Sequence, residues 1–148
     1  MASSSFLPIK PACSLWLGDD CFAQVSEFNG IVRVHIRRYA SNAVSYTPTG
    51  VGVSYEFETE WKPIAAQIPL WLTPIGLLDA KAGTLFSTAK TAIVFEHDPI
   101  DGKQIRFVIA NRKQIILTFD QFCKLAEGLD TLERFYADIA CGGLQDAQ

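Results

Sequence analysis

The sequence predicts an α+β fold: antiparallel β-sheet with a short central helix and a long amphipathic helix near the C-terminal end. Three observations carry this. Alternating apolar and polar residues meet at tight-turn residues in both halves of the chain. From Phe119 to Phe135 the apolar residues recur instead at steps of three and four. And 148 residues, 49% hydrophobic and 20% charged, are enough for one proper core.

Residues 1–18 read as an extended arm, because Pro8 and Pro11 discourage helix. Residues 19–148 read as one compact domain. It begins with FAQVSEF, then Asn29-Gly30, then IVRVHIRRY. Asn-Gly between alternating runs is a strong hairpin signal, since both turn positions need positive φ. A two-residue turn sets Phe22 opposite Arg37, Gln24 opposite His35 and Ser26 opposite Arg33. One face then carries Ala23, Val25, Val32, Val34 and Ile36 and belongs to the core. The other carries Phe22, Gln24, Ser26, Arg33, His35, Arg37 and Tyr39. The apolar sets coincide across the two strands, which a wrong register would not produce.

A polar loop follows, then a third strand from about Val51 to Thr59, with Val51, Val53, Tyr55 and Phe57 inward and Glu56 and Glu58 outward. EWKPIAAQIPLWL predicts a short helix, weakened by Pro63 and stopped near Pro69. In the second half TAIVFEHDP is a strand, Ile100-Asp101-Gly102 a turn, and KQIRFVIA a strand with Arg106 facing away from Ile105, Phe107 and Ile109. QIILT is a further strand. Thr118 and Gln121 form a capping box that opens the long helix. Its stripe of Phe119, Phe122, Leu125, Leu129, Leu132 and Phe135 is core or a helix–helix seam.

The order β-β-β-α thus occurs twice, over 19–75 and 88–140. An internal duplication explains it. Chance similarity of β-hairpins explains the weak identities, such as Val32, Arg33, Val34 and Ile36 against Ile105, Arg106, Phe107 and Ile109, equally well.

Charge narrows the function. The net charge is −3 and the pI about 5.3, which counts against broad electrostatic binding of nucleic acid. Any such binding has to come from a local patch, and the face holding Arg33, His35 and Arg37 is one. Cations neutralise phosphates and aromatic rings stack on bases, so this face suits a single strand. The alternative is that these arginines pair with Glu56 and Glu58 across the sheet. Arg106, Arg112 and Lys113 either extend the basic face or are ordinary surface charge.

Other chemistry finds little support. Cys13, Cys21, Cys123 and Cys141 include no C-x-x-C pair and the chain has only two histidines, so no metal site is expected and the thiols read as reduced, in an intracellular protein. There is no phosphate loop or dinucleotide glycine pattern. His35 and Cys21 lack an orienting third group. No catalytic residue and no cofactor is assigned. The longest apolar stretch, Ile64 to Leu78, is cut by prolines, so no membrane partner is expected.

Two segments resemble a known family. VSEFNGIVRVHIRRY is similar to the strand pair of the single-stranded-DNA-binding transcriptional coactivators called positive cofactor four, with Ile36, Arg37, Arg38 and Tyr39 at its I-R-x-Y ending. PTGVGVSYEFETEW resembles the next element of that family at Pro48, Thr49, Gly52, Val53, Ser54 and Trp61, and RKQIILTFDQFCKL looks like the same strand-into-helix junction. The related Whirly proteins of plants carry two such units in one chain. The resemblance implies binding of single-stranded DNA or RNA on a sheet. It also implies a homo-oligomer whose interface lies along Phe122, Leu125, Leu129, Leu132 and Phe135. The alternative expectation is a structural or protein-interaction module, in a viral or multi-subunit assembly for example. The acidic balance and the exposed-looking Trp16, Trp61 and Trp71 favour that one.

Overall fold

The computed structural model describes residues 9–72, 83–110 and 113–146. Over these residues the fold is α+β, with two four-stranded antiparallel sheets and three helices. Strands β1 (Ser14–Gly18), β2 (Cys21–Phe28), β3 (Ile31–Ser41) and β4 (Tyr46–Glu56) form the first sheet in that order. A π-helical turn at Phe57–Trp61 leads into α1 (Lys62–Trp71). Strands β5 (Gly83–Ser87), β6 (Thr91–Asp98), β7 (Gly102–Ile109) and β8 (Lys113–Thr118) form the second sheet. Helices α2 (Phe119–Glu127) and α3 (Leu129–Asp146) follow.

Each half is therefore β-β-β-β-α rather than β-β-β-α. The additional strands are β1, which lies where an arm was expected, and β5. Leu15 and Leu17 face inward and Trp16 outward, but five residues is too short a run to stand out from the sequence. Asp19 and Asp20 both take positive φ, closing a two-residue turn with no glycine at its central positions.

The β2–β3 hairpin has the register its turn requires, with Phe22 opposite Arg37, Gln24 opposite His35 and Ser26 opposite Arg33. Asn29 and Gly30 are both left-handed, at φ 53° and 80°. Between β3 and β4 the register slips: Arg37 pairs with Gly52, but Tyr39 pairs with Pro48. The extra residues Thr49, Gly50 and Val51 bulge outward, so Val51 is exposed and not core as its alternation predicted. Phe57 and Glu58 lie in the π-helical turn and not in the strand.

Pro63 does not weaken α1. It sits in the first turn, where an amide hydrogen has no helical partner anyway. Pro69 lies inside the helix, which ends two residues later.

The inner faces of both sheets and the helices share one core. Ala23, Val25, Val34, Ile36, Val53 and Tyr55 meet Ile93, Phe95, Ile105, Phe107, Ile115 and Leu117, with Trp61, Ile64 and Ile68 from the first helical segment. Phe122, Leu125 and Leu132 are fully buried in it, while Leu129 and Phe135 pack against it half-buried. The stripe expected at an oligomer interface is thus the chain's own core. The physical reason is that α2 touches both β1 of the first sheet and β7 and β8 of the second, so the other half of the chain covers the face a partner would have covered.

The predicted single long helix breaks at Gly128. A Cβ there would overlap the Leu15 side chain, so the break marks the close approach of β1. The predicted capping box is present: the Thr118 hydroxyl accepts from the Gln121 backbone and the Gln121 side chain accepts from the Thr118 backbone. The buried Gln121 amide also donates to the Gly18 carbonyl at 2.9 Å, tying α2 to the end of β1.

The two sheets join where β4 and β3 meet β8. Arg38 donates to the Ile116 carbonyl at 2.8 Å, and the Tyr55 and Thr91 hydroxyls lie 3.0 Å apart. No helix among the described residues is long and apolar enough to cross a membrane.

Candidate functional site

The hairpin register decides what the outer face of the first sheet presents. β1 adds Trp16 directly opposite Phe22, and β4 adds Gly52, Ser54 and Glu56 opposite Arg37, His35 and Arg33. At one end of this face four aromatic rings meet edge to face. Phe22 lies 5.1 Å from Trp16, 5.2 Å from Tyr39 and 5.0 Å from Tyr46, centroid to centroid. Such contacts add about 0.5–1.5 kcal/mol each beyond the area they bury.

This cluster corrects part of the predicted site. Phe22 is wholly covered by its neighbours and Tyr39 is 7% exposed, so neither offers a ring face to a ligand. They are the floor. The ring at the surface is Trp16, at 37% exposure, with Tyr46 half-buried beside it. Trp16 was legible as exposed but lay in the supposed arm, and Tyr46 lay in the supposed loop.

The polar members have defined jobs. Gln24 donates to the Ala12 carbonyl at 3.0 Å and accepts from the Tyr39 hydroxyl at 2.9 Å, so it fixes the floor. Ser26 Oγ lies 3.0 Å from His35 Nε2. Burial first, then the neighbouring Arg37 and Arg33 charges, push His35 below its usual 6.5. At neutral pH it is an uncharged imidazole and not the cation the sequence suggested.

Arg37 donates to the Thr49 carbonyl at 2.9 Å, so the bulge itself holds its guanidinium in place. Gly52 makes this possible. A Cβ there would sit 2.7 Å from the Ile36 carbonyl and 2.9 Å from Arg37 Cα. A groove of about 570 Å³ runs past Gln24, His35, Arg37, Tyr46, Pro48 and Thr49.

The arginines are not paired with the glutamates as the alternative required. Among the described residues no ion pair joins Arg33 or Arg37 to a carboxylate. Glu58 is held by Lys62 and by the Tyr136 hydroxyl, at 2.6 and 2.9 Å. Glu60 accepts from the Glu56 backbone at 2.7 Å and pairs with Lys90 at 3.3 Å. Glu56 stands opposite Arg33 in the ladder without an ion pair to it.

The second basic group divides. Arg106 grips Glu96 with two nitrogens, at 3.0 and 3.1 Å, and donates to Gln114, so it is bound on the second sheet. Lys113 comes to the junction of the sheets, into a cleft that Arg33 and Arg37 also line. Arg112 lies outside the described residues. Lys90, absent from the predicted site, lines the same cleft.

Cys21 and His35 do not meet. Cys21 pairs with Arg38 on the opposite face, and burial pushes its thiol up to about 11. All four cysteines are free thiols. Among the described residues no group of three or more histidine, cysteine or acidic side chains is placed to hold a metal ion.

No protein-family model, curated protein or solved structure matches the chain, which leaves the chemistry of its own surface as the guide to what it binds.

Proposed function

We propose that the chain binds single-stranded nucleic acid, without catalysis, on the outer face of its first sheet. The observation that carries this reading is the pair Arg33 and Arg37, which form no ion pair among the described residues and which share a face with Trp16 and Tyr46. The cations take phosphates, the rings take bases, and neither depends on base identity. The resemblance to the positive-cofactor and Whirly coactivators points the same way.

The test is fluorescence anisotropy of a labelled single-stranded oligonucleotide at low and at moderate salt. Binding should weaken with salt, because each phosphate contact releases counterions. Arg33→Glu with Arg37→Glu should abolish it while the fold persists. Absence of binding at low salt sinks the proposal.

The second reading, a protein-interaction module, rests on exposed apolar side chains at the hairpin turns, Phe28 at 75% and Ile100 at 92%. Trp61 and Trp71 no longer support it, because both are buried.

A further inference from the structure

We infer that the junction between the two sheets seats one phosphate of the bound strand, and that the base next to it enters the pocket beside Phe86. The inference rests on the strand-binding reading above and gives it a path.

The junction cleft has a volume of about 220 Å³. Arg33 and Arg37 reach it from β3, Ser54 from β4, Lys90 from the bend before β6, Thr91 from the start of β6, and Lys113 from the start of β8. Four cationic side chains thus converge from both halves of the chain. Its lining holds one carboxylate, Glu60. Burial pushes that carboxyl up, but the Glu56 backbone N–H, Lys90 and Arg33 outweigh it and keep it below its usual range, hence ionised. Positive charge remains in excess. Among the described residues neither Arg33 nor Lys113 has an ion pair. Gathered cations repel one another, and an anion among them relieves that repulsion. Guanidinium forks and ammonium groups around a concave floor are the usual means of holding a phosphate.

The cleft does not end at Lys90. Lys90, Glu60 and Thr91 also line a second pocket of about 270 Å³, completed by Thr59, Pro63, Phe86, Thr88 and Ala89. Phe86 and Pro63 give apolar walls for a flat ring, and the threonine hydroxyls and Glu60 offer polar atoms to its edge. On the other side, Arg37 lines both the cleft and the groove beside Tyr46. Groove, cleft and pocket are therefore adjacent, with Arg37 and Lys90 at the two boundaries. A strand laid along them crosses from the first half of the chain to the second.

The experiment titrates four proteins into a labelled single-stranded oligonucleotide over a range of salt: wild type, Lys90→Gln with Lys113→Ala, Phe86→Ala, and Lys124→Ala as a distant control. Lys90 is largely exposed, so its replacement leaves the fold intact, and melting curves check this for each variant. The lysine pair should lose about tenfold or more in affinity and flatten the slope of log K against log salt by about 0.7, the worth of one phosphate on a single strand. Phe86→Ala should lose roughly five- to hundredfold with the slope unchanged, as stacking carries no charge. Lys124→Ala should alter neither. If wild type binds and the lysine pair keeps both affinity and slope, the junction is not a phosphate seat, although the sheet reading stands. If wild type does not bind, that reading falls and this one with it. A competing nucleoside monophosphate should displace the oligonucleotide only weakly. Equal affinity for it would mean a site for free nucleotide and overturn the strand path.

Discussion

Arg33 and Arg106 occupy the third strand of their respective sheets, yet only Arg106 is held by a carboxylate. The ladders explain why. Glu96 lies two positions along from the residue opposite Arg106, and the matching position beside Arg33 is Phe28. One side chain therefore separates an arginine committed to its own sheet from one left for a ligand. Phe28→Glu should install the missing partner. Because Phe28 is three-quarters exposed, the melting temperature should hardly move. Oligonucleotide affinity should fall about tenfold, the worth of one charge-assisted hydrogen bond. Anisotropy and a melting curve on the same sample check both halves. His35 makes a second prediction at this scale. The unfolded imidazole takes its proton near pH 6.5, but the folded one only at lower pH, because burial and the two arginines disfavour its charge. Its contribution to stability is therefore complete above pH 6.5 and is lost as pH falls through the window beneath it. His35→Gln keeps a polar partner for Ser26 and removes the titration. Its melting temperature should fall less steeply than that of wild type between about pH 7 and about pH 5.

Elements were legible where a local rule fixed them. Asn29-Gly30 set the β2–β3 register, and Thr118 with Gln121 set the start of α2. β1 and β5 escaped because each is only five residues long, and the strand identity of each comes from the neighbour it pairs with. The β3–β4 bulge escaped because Pro48 and Gly50 read equally well as loop residues. Its cause is visible only once β3 lies alongside, when Gly52 is seen to admit the backbone of Ile36 and Arg37. That predicts a coupled defect. Gly52→Ala forces β3 and β4 apart at backbone atoms that have no rotamer to escape into. It should cost about 2–3 kcal/mol in a denaturant titration. It should also weaken oligonucleotide binding beyond that of a core variant of comparable cost such as Ile93→Ala, since Arg37 takes its position from the Thr49 carbonyl in the same bulge. Equal binding by the two would show that the bulge only supports the fold.

At the scale of the molecule, the acidic composition and the basic site cease to conflict once charge is placed. Helices α2 and α3 expose Asp120, Glu127, Asp130, Glu133 and Asp138 against Lys124 and Arg134. They pack on the inner side of the first sheet, opposite the face of Arg33 and Arg37. The hairpin half of the site was readable because one turn orders its residues. Lys90 was not, because only the packing of one sheet on the other brings it to Arg37. The net charge of −3 therefore describes mostly the far side of the protein. At about 0.15 M salt the Debye length is about 8 Å. A helix alone is about 10 Å across, so the helical acids are screened from anything on the outer face. Asp130→Lys with Glu133→Lys raises the net charge by four, from −3 to +1. If overall charge governed binding, affinity would climb steeply. If the local patch governs it, affinity at that salt should stay within about twofold of wild type, and a difference should emerge only as salt is lowered and the screening length grows. Arg33→Glu with Arg37→Glu shifts the net charge by the same four units in the other direction and should abolish binding. The asymmetry between these two double variants, read by anisotropy at one moderate and one low salt concentration, separates a sited interface from bulk attraction.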